Sequence, residues 1–168
     1  EVFVPGSDLE YYKVDFKTDS YFNINKKRDI ILRLRGITRY GQGYGGTSGL
    51  PFYDRFTAGG PKSVRGFEKN SLSPLDSKGL PIGGDFMVAG TAEVIFRPPI
   101  EVANLRTAFF ADFGRAYKDY DSFEFGDLKG SVGLSIEWLS PFGGISVSIS
   151  APLNEEEGDK TEGFQFNL

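Results

Sequence analysis

The sequence predicts an all-β fold, an antiparallel transmembrane β-barrel with about seven to eight strands in this chain. Three observations predict it. Apolar residues alternate with polar or charged ones over segments of roughly 10–13 residues, near the length a tilted strand needs to cross a bilayer and long for a soluble sandwich. Aromatic residues make up 15% of the chain, with 16 Phe and 8 Tyr, beside 22 Gly, as aromatic girdles and tight turns require. No apolar run is long enough for a membrane-spanning helix, a test that strands escape because they alternate. The 168 residues suit one domain, so residues 1–168 are read as a single barrel segment.

Side chains on a strand point alternately to its two faces, and each segment in turn shows one oily face. Tyr12, Val14, Phe16 and Phe22 stand against Lys13, Asp15, Lys17 and Asp19. Ile30, Leu32, Leu34 and Tyr40 stand against Arg33, Arg35 and Arg39. Phe86, Val88, Val94 and Phe96 stand against Asp85, Thr91, Glu93 and Arg97. Leu105, Phe109 and Phe113 stand against Arg106, Phe110, Asp112 and Gly114. Leu128, Val132, Leu134, Ile136 and Trp138 stand against Lys129, Ser131, Ser135 and Glu137. Ile145, Val147 and Ile149 stand against Ser146, Ser148 and Ser150, and Phe164, Phe166 and Leu168 against Gln165 and Asn167. Glu1–Val4 is read as the tail of a further strand. A polar face bearing both charge signs fits a wet lumen, so Phe16, Leu34, Val94, Phe109, Leu134 and Val147 are expected to face lipid. Asp15, Arg35, Glu93, Asp112 and Glu137 are expected to face inward.

The connections are Pro5–Glu10, Asn23–Lys27, Gly41–Gly84, Pro98–Asn104, Lys118–Asp127, Ser140–Gly143 and Asn154–Thr161, and from the third onward long and short alternate. Bacterial barrels keep short turns on the periplasmic side. The long loops Gly41–Gly84, Lys118–Asp127 and Asn154–Thr161 are therefore expected outside, with the C-terminus periplasmic. Tyr12, Phe22, Tyr40, Phe86, Phe96, Tyr117 and Trp138 lie near strand ends, where interfacial girdles belong.

Composition narrows function. There is no Cys and no His, which removes thiol catalysis, structural zinc and histidine base chemistry. The net charge of −4 argues against a nucleic-acid partner. No catalytic residues, cofactor or metal are expected, and no enzyme. Asp119–Gly126 fails the EF-hand pattern because its fifth position is Phe123 and its glycine is misplaced. Glu155–Glu157 reads as a solvated loop tip. Gly59–Ser63 lacks the spacing of a phosphate loop.

Gly41–Gly84 is too long for a bare hairpin connection. Its aromatics lie between glycines, in Leu50-Pro51-Phe52-Tyr53-Asp54-Arg55-Phe56 and in Gly59-Gly60-Pro61-Lys62-Ser63-Val64-Arg65-Gly66-Phe67. Such a loop packs against something, and the lumen is the nearest surface. Val64-Arg65-Gly66-Phe67 after a Gly-Gly resembles the Val-Arg-Gly-Phe/Tyr motif of the BamA superfamily. Pro51-Phe52-Tyr53, Phe110-x-Asp112-x-Gly114, Trp138-Leu139-Ser140-Pro141 and Phe164-Gln165-Phe166-Asn167 are similar to it at matching order. The superfamily also includes two-partner-secretion transporters and organelle import barrels.

The resemblance implies that this chain is the C-terminal half of a sixteen-strand barrel in the bacterial outer membrane. It implies a role in inserting unfolded outer-membrane protein clients, alongside periplasmic repeat domains, accessory assembly lipoproteins, lipid and lipopolysaccharide. It implies that the loop folds into the lumen and that Arg65 locks onto acidic wall residues matched by Glu93 and Asp112, both on the polar face. The last strand, with Gly163, Phe164, Phe166 and Leu168, would be one side of a seam that opens sideways, and family members continue a few residues further. Two other readings stay open: a two-partner-secretion transporter, and a passive pore or structural barrel. For this chain alone, closure on itself as a monomeric small barrel is expected over pairing into a dimer. The lumen of a small barrel has no room for the loop, so the loop would be expelled and Arg65 would lose its partners.

Overall fold

The computed structural model describes residues 9–25, 29–98, 104–140 and 143–168. Its strands in chain order are β1 (Tyr11–Asn23), β2 (Ile30–Gly43), β3 (Gly66–Phe67), β4 (Phe86–Phe96), β5 (Leu105–Tyr117), β6 (Lys129–Ser140), β7 (Gly143–Pro152), β8 (Thr161–Glu162) and β9 (Phe164–Asn167). Seven of them form one sheet in the order β1-β2-β4-β5-β6-β7-β9, every neighbour antiparallel. The two-residue strands β3 and β8 pair with each other in a separate ribbon. The expected tail at Glu1–Val4 lies outside the described residues, as do parts of the three short turns.

Register fixes the faces, because residues opposite each other in an antiparallel pair point the same way. One unbroken row, Phe22-Leu32-Val94-Phe109-Leu134-Ile149-Phe164, crosses all seven strands on the outer face. Phe16, Leu34, Val94 and Phe109 on that face are 63%, 41%, 36% and 60% exposed, ready for an apolar solvent. The other face carries Tyr21-Arg33-Glu93-Phe110-Gly133-Ser150 and, one step along, Asp19-Arg35-Thr91-Asp112-Ser131-Pro152. Phe16, Leu34, Val94, Phe109, Leu134 and Val147 thus share one face and Asp15, Arg35, Glu93, Asp112 and Glu137 the other, as the period-2 pattern of the sequence divides them.

At the upper rim the outer row Val14-Tyr40-Phe86-Tyr117 gains a second layer from the loop after β5. Tyr120 and Phe123 stand edge-on to Phe86 at 5.3 and 5.6 Å, and Phe123 to Tyr117 at 5.3 Å. Edge-to-face geometry suits aromatic quadrupoles, so this loop folds down over the rim and burial of Phe86 and Tyr117 follows.

The inner face departs from a purely polar lumen. Ile37, Met87, Ala89 and Ala116 point inward and are buried with Leu50, Phe56, Ala58, Val64, Phe67 and Leu72 of the long loop. The loop thus brings its own apolar cluster and sets it on an apolar patch of wall. Val64 and Phe67 are fully buried, each worth about 1.5–3 kcal/mol by area.

This arrangement corrects the expectation of a small self-closed barrel with an expelled loop. β1 and β9 are opposite ends of a linear strand order, and the loop lies on the inner face. The physical reason is competition for that face. A barrel of about eight strands must fill its interior with its own side chains, whereas here the loop's cluster and its ion pairs take up that surface.

Candidate functional site

Ala58–Gly84 gives the loop its shape through local bonds. Gly60 N–H donates to the Val64 carbonyl at 3.0 Å and Ser63 N–H to the Gly60 carbonyl at 3.1 Å. This tight turn presents Arg65 at its exit. Gly66 follows at φ 87°, a region that L side chains avoid. A Cβ there would lie 3.2 Å from both Ser131 Cβ and Ser150 Oγ of the wall. Glycine is therefore favoured at this position by its dihedral, and the close approach of the Ser131 and Ser150 side chains leaves little space for a Cβ. Phe67 then closes the apolar cluster.

Arg65 reaches two strands at once. Its Nε and Nη2 donate to Asp112 Oδ2 and Oδ1 at 2.7 and 2.9 Å, and its backbone N–H donates to Oδ2 at 3.0 Å. Nη1 meets Glu93 Oε1 at 2.9 Å. The side chains of Arg65, Glu93 and Asp112 are 11%, 6% and 1% exposed. A planar fork matched to a carboxylate is the strong form of this contact. The guanidinium also lies over the Phe110 ring, 3.5 Å from its centroid. Phe110 can lie flat there because its partner across the ladder is Gly133, where a Cβ would come within 2.6 Å of the ring.

Glu93 is shared. Arg33 Nη1 donates to Glu93 Oε2 at 3.1 Å, while Arg33 Nε and Nη2 grip Asp19 at 2.9 and 2.7 Å. The chain of charges Asp19–Arg33–Glu93–Arg65–Asp112 thus ties β1, β2, β4, β5 and the loop together. A polar cavity borders it, lined among others by Arg35, Lys62 and Glu137.

Two further tethers were not read from the sequence. Asp54 accepts hydrogen bonds from Lys13 Nζ at 2.8 Å and from the Tyr11 hydroxyl, fixing the turn after Pro51 to β1. The Lys13 ammonium and then the Tyr11 hydroxyl hold the Asp54 carboxyl below the usual carboxylate range. Beside it Phe52 and Tyr53 point away, 80% and 63% exposed, unlike the packed aromatics expected throughout this loop. On the other side Lys129, buried in the wall, pairs with Glu156 at 2.9 Å and Asp159 at 2.8 Å. Glu156 stays 78% exposed, as a solvated tip would be, and Asp159, 18% exposed, is the partner that anchors the last loop to β6. These pairs join residues far apart in the chain, and spacing carries no signal of them.

Of the residues singled out from the sequence, Arg65, Glu93 and Asp112 converge, and Val64, Gly66 and Phe67 pack beside them. Phe164 and Phe166 lie on the outer face, 61% and 55% exposed, and Leu168 follows at 81%. Gly163 precedes β9 and its carbonyl accepts from Ser150 N–H at 2.8 Å.

The model of the Omp85 superfamily domain matches residues 1–168. The outer membrane protein assembly factor BamA of Neisseria meningitidis serogroup B is 31% identical over 198 residues, covering 100% of this chain and 25% of that protein. The Sorting assembly machinery 50 kDa subunit of Saccharomyces cerevisiae is 29% identical over 127 residues, covering 68% of this chain and 26% of that protein. The crystal structure of BamA from Haemophilus ducreyi lacking POTRA domains 1-3 superimposes with a TM-score of 0.86 at 31% identity, over 98% of this chain and 36% of that one. This chain therefore spans about a quarter to a third of the length of such relatives. With the family matched over every residue and the fold shared with a solved relative, the seven-stranded sheet is part of a β-barrel wall, and the chain belongs to the Omp85 superfamily.

Proposed function

We propose that this chain is the loop-bearing part of the barrel of an insertase that assembles outer-membrane proteins, placed in the bacterial outer membrane. The observation that carries the reading is Arg65 locked between Glu93 and Asp112 on the inner wall, with its loop bonded onward to the segment before β9. The relatives' names, an outer membrane protein assembly factor and a sorting assembly machinery subunit, point the same way.

The reading assigns no bond-making chemistry to the site. Its work is mechanical. The outer row of Phe, Leu, Val and Ile meets lipid tails, and the inner row meets water and the docked loop. β9 is short and lies at an end of the sheet, and an exposed strand edge is a template on which another strand can pair. An unfolded outer-membrane protein client would add its own strand there, satisfying backbone groups that lipid leaves unpaired. Lipid, lipopolysaccharide at the upper aromatic rim, and accessory assembly lipoproteins are the further partners of this reading.

The test is the folding rate of a purified unfolded outer-membrane barrel added to liposomes carrying the full-length protein. Acceleration over protein-free liposomes is expected. No acceleration, together with plain ion conductance, would instead support a passive pore.

A further inference from the structure

The segment leading into the last strand is bonded to the arginine loop. Gly66 pairs with Glu162 and Phe67 with Thr161, and Glu68 N–H donates to the Lys160 carbonyl at 2.9 Å. Inside β9, Gln165 turns to the inner face, 3% exposed, while its neighbours Phe164 and Phe166 turn outward. Its Nε2 donates to the Phe67 carbonyl at 2.7 Å and to Glu162 Oε2 at 3.2 Å. Both partners are acceptors, so the amide can present only its NH2 end to them.

The other end of that amide is left over. Gln165 Oε1 is buried without a partner, and so are the hydroxyls of Ser131 and Ser150 beneath Gly66. A buried acceptor without a donor costs free energy, a cost carried here by a side chain whose other end satisfies the Phe67 carbonyl. β9 itself is held by β7 at only four register positions, Ser146 with Asn167 to Ile149 with Phe164. No strand covers its other edge among the described residues. The loop contact is thus a large share of what fixes this strand.

We propose that Gln165 is a positioning residue that transmits the docked state of the arginine loop to the last strand. Arg65 on Glu93 and Asp112 places the Phe67 carbonyl. That carbonyl holds Gln165, and Gln165 with the Thr161–Glu162 pairing fixes the register of Phe164–Asn167. When the loop undocks, these bonds go with it, and of the contacts within this chain β9 keeps its ladder with β7. The consequence for clients rests on the insertase reading, whereas the coupling itself does not.

The test is amide hydrogen exchange of the full-length protein in lipid nanodiscs without client. Gln165→Met removes the donor at nearly constant size. It is expected to speed exchange at residues 164–167 about three- to tenfold while the Arg65 N–H, bonded to Asp112, stays protected. Gln165→Lys restores a donor and should restore most of the protection. Arg65→Ala should speed exchange at both 64–67 and 164–167, and adding it to Gln165→Met should raise 164–167 no further. Unchanged exchange at 164–167 in Gln165→Met, no rescue by lysine, or additive effects of the two substitutions there would overturn the proposal. Protection of β7 reports that each variant is folded. Because no client is present, the outcome is independent of the insertase reading, which the liposome folding rate decides separately.

Discussion

At Arg65 a planar fork of donors meets two carboxylates on neighbouring strands, and a ring supports its face. Shape matters there as much as charge. Arg65→Lys keeps the charge but cannot bond Asp112 through two nitrogens, so it should release the loop nearly as well as Arg65→Ala. Breaking a buried pair from one side typically costs about 3–5 kcal/mol, less where water reaches it. Limited proteolysis of the loop checks this, and equal protection in Arg65→Lys and the native protein would count against the fork. Gly66→Ala should also loosen docking, by about 1–3 kcal/mol for a side chain forced into that backbone region, with the same readout. The arginine and its motif were legible in the sequence because they form a contiguous string. Asp54 was not, since its partners lie on β1. Its carboxyl is depressed below the usual 3.8. Such a group lends stability above its unfolded value and loses it as pH falls through its folded one. Cleavage near Phe52 and Tyr53 should therefore stay constant down to about pH 4 and rise below it. A rise already near neutral pH would contradict that tether.

Among the elements, the six long strands were readable because one period-2 pattern serves both faces. The seven-strand row from Phe22 to Phe164 is that pattern carried across the sheet. What the pattern concealed was the inner patch of Ile37, Met87, Ala89 and Ala116, which becomes apolar for the sake of a loop distant in sequence. Strands β3 and β8 were equally hidden, since two residues carry no period. The facing makes a sharp prediction. Phe109→Arg puts a charge on the outer row and should cost about 2–4 kcal/mol if it lies near the bilayer midplane. Denaturant unfolding of the full-length protein in lipid measures this. Thr91→Arg, on the inner face, should cost much less, and equal costs would mean that the register is wrong.

The molecule as a whole divides labour between a wall whose outer face suits lipid and a loop that sits on its inner face. The expectation of a small closed barrel failed at this scale. It treated the loop as something to be housed, whereas the loop supplies both apolar surface and charge to the wall. The network Asp19–Arg33–Glu93–Arg65–Asp112 joins four strands to the loop, so its members should act together. On the proposed insertase function, this lock serves client assembly. The most direct measurement is a double-mutant cycle of Arg65→Ala and Asp112→Ala on the rate at which the full-length protein in liposomes folds an unfolded client barrel. Each single substitution should slow folding, and the pair should be no slower than the worse single. Native rates in both single variants, or two effects that simply add, would contradict it.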